Sequence, residues 1–135
     1  MSFQDPHIIN LPKIEDPRGN LTFLQETDQI PFTIERVYWI YDVPGGQLRG
    51  GHCFKVQQEM IISLSGSFDV VVNDGEKEII HSLNRSYSAL YVPPGVWRQM
   101  ANFSTNSLAL VLSSTLFDEN DYIRSIEKFL HYKKS

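Results

Sequence analysis

Residues 46–66 read GQLRGGHCFKVQQEMIISLSG, and this stretch decides the fold. Its fixed points are Gly46, His52, Glu59 and Gly66. In a strand, successive side chains point to opposite faces, so His52 and Phe54 share one face while Cys53 points the other way. The stretch therefore predicts a β-strand that presents an imidazole and a phenyl ring to the same interior, with the carboxylate of Glu59 one strand further on.

Outward from this stretch, the chain consists of short β-rich runs separated by turn residues, the pattern of an all-β sandwich or barrel. The predicted strands are residues 21–25, 34–41, 58–65, 67–72, 76–83, 88–92, 99–103 and 108–114. Asn73-Asp74-Gly75 predicts a tight hairpin, because Asp-Gly supplies the positive φ angles of such a turn. Pro93-Pro94-Gly95 predicts a break between two further strands, since proline cannot donate to a ladder.

Near the end of the chain the apolar period changes to that of a helix. Its apolar positions are Tyr122, Ile123, Ile126, Phe129 and Leu130. Asp118 is the predicted N-cap, and Lys133 and Lys134 suit the C-terminal end of the helix dipole. We expect this helix to pack against the outside of the barrel.

The composition favours a single folded domain over residues 1–135 and excludes several function classes. The formal net charge of −4 argues against a nucleic-acid partner, which is bound mainly through excess Lys and Arg. Residues 1–11 have no leader pattern, and no long apolar run predicts a membrane span. A single cysteine, Cys53, agrees with a reducing compartment, so we expect a cytoplasmic protein.

The spacing of residues 46–66 resembles the first motif of the cupins, which implies an RmlC-like double-stranded β-helix, or jelly roll, with one C-terminal helix. In metal-binding cupins this motif carries two histidines and a carboxylate, and a second motif adds a histidine. Here Phe54 replaces the second histidine and Arg98 the last one, and a permanent cation repels a divalent metal. We therefore expect no metal.

In the cupin frame, His52, Glu59, Tyr91, Trp97 and Arg98 are predicted to line one cavity. A histidine, arginines and aromatic walls suit a phosphorylated or sugar-like ligand. Two simpler interpretations stay open. Glu59 can serve only as an ion-pair partner of Arg49 or Arg98, and Phe54 and Trp97 can be packing residues.

Five segments, in order and over nearly the whole chain, resemble the nucleotide-sugar 3,4-ketoisomerases that act on TDP-4-oxo-6-deoxy-glucose. They are residues 16–21 (DPRGNL), 30–38 (IPFTIERVY), 49–55 (RGGHCFK), 90–97 (LYVPPGVW) and 118–124 (DENDYIR). This resemblance implies a ketone shift from C4 to C3 through an enediol, without cofactor or metal. It also implies a homodimer with strands exchanged between subunits, and a role in making an unusual deoxy amino sugar for a surface polysaccharide.

The resemblance implies roles for individual residues. His52 matches the first of the two histidines that the family uses for proton transfer, and Phe54 stands at the second. The second role can pass to Tyr38, to Tyr91 or to a bound water, or His52 can move one proton between C3 and C4 by itself.

The remaining implied roles concern substrate binding. Arg18 and Arg49 are the predicted contacts to diphosphate or sugar, because guanidinium groups match phosphate oxygens. Lys55 and Gln58 are predicted to fix the nucleotide. Arg98 is predicted to alter how the sugar lies, and with it the C4 configuration of the product.

Three alternatives follow from the same residues. A non-catalytic nucleotide-sugar-binding or regulatory cupin is favoured by Phe54. A 3,5-epimerase needs a His and Asp dyad, for which no aspartate sits at a convincing position. A metal-dependent dioxygenase lacks two of its four ligands.

Overall fold

The computed structural model describes residues 5–25 and 29–135, so part of the segment 1–11 considered for a leader lies outside the described residues. Strands β1–β12 are His7–Asn10, Lys13–Ile14, Leu21–Thr22, Arg36–Tyr41, Arg49–Phe54, Glu59–Ser65, Phe68–Asn73, Glu78–Leu83, Ser88–Val92, Trp97–Ala101, Leu108–Ser113 and Tyr122–Ile123. A 3-10 turn, Glu119–Asp121, precedes β12, and one helix, α1, spans Ile126–Lys134.

Two five-stranded antiparallel sheets hold the core between them. Their strand orders are β1-β9-β6-β11-β4 and β12-β5-β10-β7-β8, and β2 and β3 form a separate ladder. Inward-facing side chains such as Ile61, Phe68, Leu90 and Val111 are almost fully buried between the sheets. This arrangement confirms the predicted all-β jelly roll with one C-terminal helix.

Smaller apolar clusters cover the outer faces of both sheets. On the first sheet, Met60, Ile62 and Tyr91 pack with apolar residues from the N-terminal third of the chain. On the second, Cys53, Trp97 and Phe129 form a cluster that fixes α1 against β5. The prediction that the helix packs outside the barrel is therefore confirmed.

Both predicted turns are present. The Asn73-Asp74-Gly75 turn joins β7 to β8, with Gly75 at a φ of 102° and the Asp74 carboxylate accepting from the amides of Glu76 and Lys77. Pro93-Pro94-Gly95 separates β9 from β10, and the amide of Gly95 donates to the carbonyl of Phe54 at 2.8 Å.

Several predicted strand boundaries are wrong by one to three residues; β4 and β8, for example, each begin two residues later than expected. The strand expected over residues 21–25 ends at Thr22, and the strand expected over 99–103 begins two residues earlier, at Trp97. Strands β1 and β2 were not predicted at all. Strand β1 adds to the edge of the first sheet, whereas β2 pairs, among the described residues, only with β3, and both have little apolar alternation of their own.

The start of the C-terminal helix is also wrong. Asp118 caps the 3-10 turn, whereas Ser125 is the N-cap of α1. Tyr122 and Ile123 pair with Phe54 and Cys53 as β12. Their apparent helical spacing is an accident of sequence, because pairing with the edge of β5 decides their conformation. No helix in the described ranges is long and apolar enough to cross a bilayer.

Candidate active site

A cavity of about 390 Å³ opens between the two sheets, beside β4, β5, β10 and β12. Its lining residues are Arg36, Tyr38, Ile40, Leu48, Arg49, Gly50, Gly51, His52, Arg98, Tyr122 and Arg124. They come from four regions of the sequence, and the antiparallel pairing of the strands brings them together.

The register between β5 and β10 decides which side chains enter the cavity. Arg98 lies opposite His52, so both point inward, while Trp97 lies opposite Cys53 and both point outward. Trp97 packs against Phe129 of α1, with 5.9 Å between ring centroids. The predicted inward direction of His52 is confirmed, and the prediction that Trp97 lines the cavity is wrong.

Arg98 and Glu59 form a buried ion pair on the cavity floor, with side chains that are 1% exposed. Arg98 Nε donates to Glu59 Oε1 at 2.8 Å, and Nη2 donates to Oε2 at 3.0 Å. The Tyr38 hydroxyl donates to Glu59 Oε2 at 2.7 Å and accepts from Arg98 at 2.9 Å. Gln57 gives Glu59 a further hydrogen bond at 2.8 Å. Of the two ion-pair partners considered for Glu59, the structure therefore selects Arg98.

Gly50 makes room for the Arg98 guanidinium. The backbone at Gly50 has a φ of +71°, and a Cβ built there would collide with Arg98 Nη1. Left-handed backbone of this kind is costly for residues that carry a side chain. Glycine is thus required at position 50 for two reasons: the positive φ angle, and the guanidinium that occupies the space of a side chain.

We predict that Gly50→Ala lowers the free energy of unfolding by at least about 1–2 kcal/mol, the usual cost of left-handed backbone, with more from the displaced guanidinium. Urea unfolding measures the change. Gly45→Ala is the matched control, since its Cβ meets nothing within 4 Å and its φ is not positive. We expect the control to change stability by less than about 0.5 kcal/mol. Equal effects of the two substitutions would contradict the assignment.

Aromatic rings hold His52 in place. Its ring lies 4.6 Å from that of Phe54 and 5.0 Å from that of Tyr122, measured between centroids, and both contacts are edge-to-face. His52 Nε2 and Arg98 Nη1 are buried at the cavity and have no hydrogen-bond partner in the part of the chain that the structure describes. Unpaired buried polar atoms are rare in folded proteins, and at a cavity they indicate groups that await a ligand.

The environment of His52 keeps its imidazole neutral. Burial, followed by the positive charges of Arg98 and Arg124, lowers its pKa from 6.5 to about 2. A neutral imidazole retains a nitrogen lone pair that can accept a proton. At neutral pH His52 is therefore in the form that a general base requires.

This pKa predicts a pH dependence of stability. Below about pH 6.5 the unfolded chain binds a proton at His52 that the folded chain does not bind, so the free energy of unfolding falls as the pH falls. The loss approaches about 1.4 kcal/mol per pH unit, or about 2 kcal/mol between pH 6.5 and 5. Urea titrations at several pH values measure it. His52→Asn should remove this component and leave that of His81, whose pKa burial also lowers. The same slope in both proteins would contradict the prediction.

The cavity is electropositive. Four arginines line it, and no Asp or Glu is among the described residues that line it. Arg98 is paired with Glu59, and Arg124 makes two 2.8 Å hydrogen bonds to Glu119. Arg36 donates instead to the neutral amide of Gln57 at 2.9 Å. Such a lining favours an anionic ligand.

The structure brings together four of the residues predicted from sequence, Tyr38, Arg49, His52 and Arg98, with Glu59 directly behind them. Tyr91 lies on the outer face of the first sheet, and its hydroxyl donates to Gln58 Oε1 at 2.7 Å. The prediction that Tyr91 lines this cavity is therefore wrong.

The other predicted contacts also lie outside the lining of this cavity in the described chain. Lys55 is exposed on the loop after β5, and Gln58 is bonded to Tyr91. Arg18 lies on an exposed turn, where its side chain is 91% exposed and paired with Asp16 at 2.8 Å. Substrate-binding roles for these three residues stay predictions.

Among the cavity residues that carry charged or hydroxyl groups, sequence reasoning missed Arg36, Tyr122 and Arg124. Tyr122 and Arg124 belong to residues 118–124, which resemble the ketoisomerases. The predicted helix, however, placed Tyr122 on the apolar face that packs against the barrel. Within the described ranges, no three His, Cys, Asp or Glu side chains converge closely enough to hold a metal ion.

Comparison with known proteins identifies the family. The model of the FdtA family, described as WxcM-like, C-terminal, matches residues 4–134. The chain belongs to this family. A relative from Aneurinibacillus thermoaerophilus, named TDP-4-oxo-6-deoxy-alpha-D-glucose-3,4-oxoisomerase, is 40% identical over 125 residues, which cover 93% of this chain and 90% of the relative. The resemblance to the ketoisomerases is thereby confirmed.

Solved structures agree with this assignment. The 3,4-ketoisomerase QdtA from Thermoanaerobacterium thermosaccharolyticum, solved as a histidine-to-asparagine variant in complex with TDP-4-keto-6-deoxyglucose, superposes with a TM-score of 0.94. It is 35% identical, and the match covers 96% of this chain and 94% of that one. The rmlC epimerase of Mycobacterium tuberculosis, at 18% identity, has a TM-score of 0.77 over 92% of this chain and 70% of that one. This likeness concerns the fold alone and agrees with the predicted RmlC-like cupin.

Proposed function

We propose that the protein is a sugar-nucleotide 3,4-ketoisomerase that moves the ketone of a TDP-linked 4-oxo-6-deoxy-hexose from C4 to C3. The observation that carries the proposal is a neutral, buried His52 whose Nε2 has no hydrogen-bond partner among the described residues, in a cavity lined by four arginines. The named activity of the relative from Aneurinibacillus thermoaerophilus supports the same reaction.

Substrate binding is electrostatic in this proposal. Arg36, Arg49 and Arg124 border the cavity and take the diphosphate, because their guanidinium groups can donate two parallel hydrogen bonds to phosphate oxygens. Arg98 keeps its Nη1 free for an oxygen of the sugar. The buried pairing with Glu59 fixes the plane of this guanidinium, and therefore the direction of the Nη1 donors.

His52 is the general base. It removes the proton from C3, and the electron pair moves into the C3–C4 bond and onto O4, which gives an enediolate. Besides burial, the positive charges of Arg98 and Arg124 lower the pKa of His52. A bound diphosphate offsets these charges, so the affinity of His52 for a proton rises when the substrate is present.

Return of a proton to C4 completes the reaction. Tyr38 is one candidate from the sequence, and it lines the cavity, but its hydroxyl proton is donated to Glu59. Burial is the main cause that raises the pKa of Tyr38, so this hydroxyl is a weak acid. Its better-supported role is to hold the carboxylate of Glu59 together with Arg98.

We also propose that the reaction needs no metal or cofactor. Both oxygens of Glu59 are taken by Arg98, Tyr38 and Gln57, and a guanidinium occupies the floor of the cavity. This donor set suits an anion better than a divalent cation. Full activity of protein treated with a chelator, with no stoichiometric metal by elemental analysis, is the expected result.

A homodimer with exchanged strands is a further part of the proposal. Strand β4 is the edge of its sheet, and it exposes Val37, Trp39 and Tyr41 on one face. An unpaired apolar edge of this kind favours association with a second copy. Light scattering should give twice the mass of the chain. A place in the synthesis of a deoxy amino sugar for a surface polysaccharide is proposed on the family resemblance alone, and a cytoplasmic location on the sequence features given above.

NMR of TDP-4-oxo-6-deoxy-glucose with the purified protein in D2O tests the function. We expect resonances of the 3-oxo product and incorporation of solvent deuterium. Tight binding without deuterium exchange or product would indicate a nucleotide-sugar-binding protein instead. Absence of both binding and turnover would refute the proposed ligand.

A further inference from the structure

A proton must return to C4 to complete the ketone shift, and besides His52 the cavity offers few groups that could deliver it. Apart from His52 and the arginines, the titratable side chains in the described lining are Tyr38 and Tyr122. Tyr38 donates its hydroxyl proton to Glu59 and accepts from Arg98. Its hydroxyl therefore both donates and accepts a hydrogen bond within the protein.

Tyr122 is placed beside the base by strand pairing. In the β12–β5 ladder it lies opposite Phe54, so its ring shares the inward face with Phe54 and His52. The three rings form a closed aromatic group, with centroids 4.6 Å apart for Phe54 and Tyr122 and 5.0 Å apart for His52 and Tyr122. This packing fixes the phenol ring next to the imidazole.

The hydroxyl of Tyr122 is free. It makes no hydrogen bond within residues 5–25 and 29–135, and it is not among the buried atoms that lack a partner. A ligand in the cavity can therefore reach this hydroxyl. Phe117 packs against the ring of Tyr122 from the other side, at 5.7 Å between centroids, and limits its movement.

A fixed cation stands over the same ring. The guanidinium of Arg124 lies 4.0 Å from the ring centroid of Tyr122, and two hydrogen bonds to Glu119 hold it there. This cation–π contact further restrains the ring. Tyr122 thus combines a hydroxyl that has no partner among the described residues with a ring that is held by three neighbouring rings and a guanidinium.

We propose that Tyr122 is the second proton-transfer residue, a role that rests on the proposed ketoisomerase function. After His52 has taken the C3 proton, the proton on O3 passes to O4. The hydroxyl of Tyr122 then protonates C4 while the C3–O3 bond becomes the ketone. This leaves a phenolate on Tyr122 and an imidazolium on His52. Proton transfer from the imidazolium to the phenolate, directly or through solvent, restores both groups.

The test is NMR in D2O with Tyr122→Phe, which keeps the ring and removes the hydroxyl. We expect the 3-oxo product to form about 10²–10⁴-fold more slowly, the range for loss of a general acid. His52 should still exchange C3, so the recovered 4-oxo substrate should contain deuterium at C3. TDP affinity should stay within about twofold. Tyr132→Phe, on the exposed surface of α1, is the matched control and should behave as wild type.

Each other outcome is decisive. Product formation by Tyr122→Phe within about twofold of wild type would overturn the proposal. Loss of both C3 exchange and product, with TDP binding intact, would also overturn it, because Tyr122 would then act only by positioning His52. If wild-type protein makes no product, the proposed function fails and this inference fails with it.

A second variant guards against damage to packing. Phe54→His in the Tyr122→Phe background places an imidazole 4.6 Å from the ring positions of both His52 and Tyr122. We expect the double variant to form the 3-oxo product at least about tenfold faster than Tyr122→Phe alone. Restored folding and TDP binding without restored product would refute proton transfer at this position.

Discussion

Asparagine in place of His52 is expected to slow formation of the 3-oxo product by about 10²–10⁴-fold, the typical contribution of a general base. The amide keeps a similar size against Phe54 and Tyr122, but it cannot accept a proton from carbon. Exchange of deuterium into C3 should disappear together with turnover. This loss distinguishes His52 from Tyr122, whose replacement should leave C3 exchange intact.

Calorimetric titration with TDP provides the control for this variant. His52 contributes no positive charge at neutral pH, so TDP affinity should change by less than about threefold when the arginines are intact. His131→Asn, in the last turn of α1 and exposed, should have no effect on either measurement. Product formation by His52→Asn at the wild-type rate would remove His52 from the mechanism.

The largest effect on stability is expected for Arg98→Met. Arg98 is 1% exposed and is the buried cation that neutralises Glu59. Its removal leaves a buried carboxylate without its ion-pair partner, which typically costs about 3–5 kcal/mol of unfolding free energy. Urea unfolding at pH 7 measures the loss. Arg85→Met is the matched control, because Arg85 is exposed and its side chain donates to the carbonyl of Asn84 alone among the described residues.

The double variant Glu59→Leu, Arg98→Met separates the two contributions. With both charges removed, no unpaired ion is left in the core, so stability should recover by at least about 2 kcal/mol over Arg98→Met alone. Additive losses in the double variant would show that the ion pair is not the origin of the effect. A loss below about 1 kcal/mol in Arg98→Met would contradict the buried geometry of the pair.

The frame of the site could be predicted from the sequence because it depends on local alternation. The two-residue period of a strand fixed the shared face of His52 and Phe54, and their rings do meet. The same rule fails for Trp97 and Tyr91, because their faces depend on the register against neighbouring strands. Trp97 lies opposite Cys53, and Tyr91 lies opposite Met60, and both of these partners point outward.

The remaining errors share a physical cause. Arg36 and Arg124 are far apart in sequence, and only the order of strands in the two sheets brings them to one cavity. Tyr122 satisfies a helical period by chance, while the edge of β5 offers it ladder hydrogen bonds. Gly50 has no side chain from which a role can be inferred, and its importance lies in the guanidinium beside it.

The ion pair of Arg98 and Glu59 also constrains how this protein can change over evolutionary time. Arg98 borders the cavity to which we assign the sugar, so its replacement would be a direct route to a different substrate preference. The same replacement leaves the buried carboxylate of Glu59 without its ion-pair partner. Most single substitutions at position 98 are therefore expected to misfold before selection can act on catalysis. Relatives with another residue at this position should carry a compensating residue at position 59, so the two positions are expected to covary across the family.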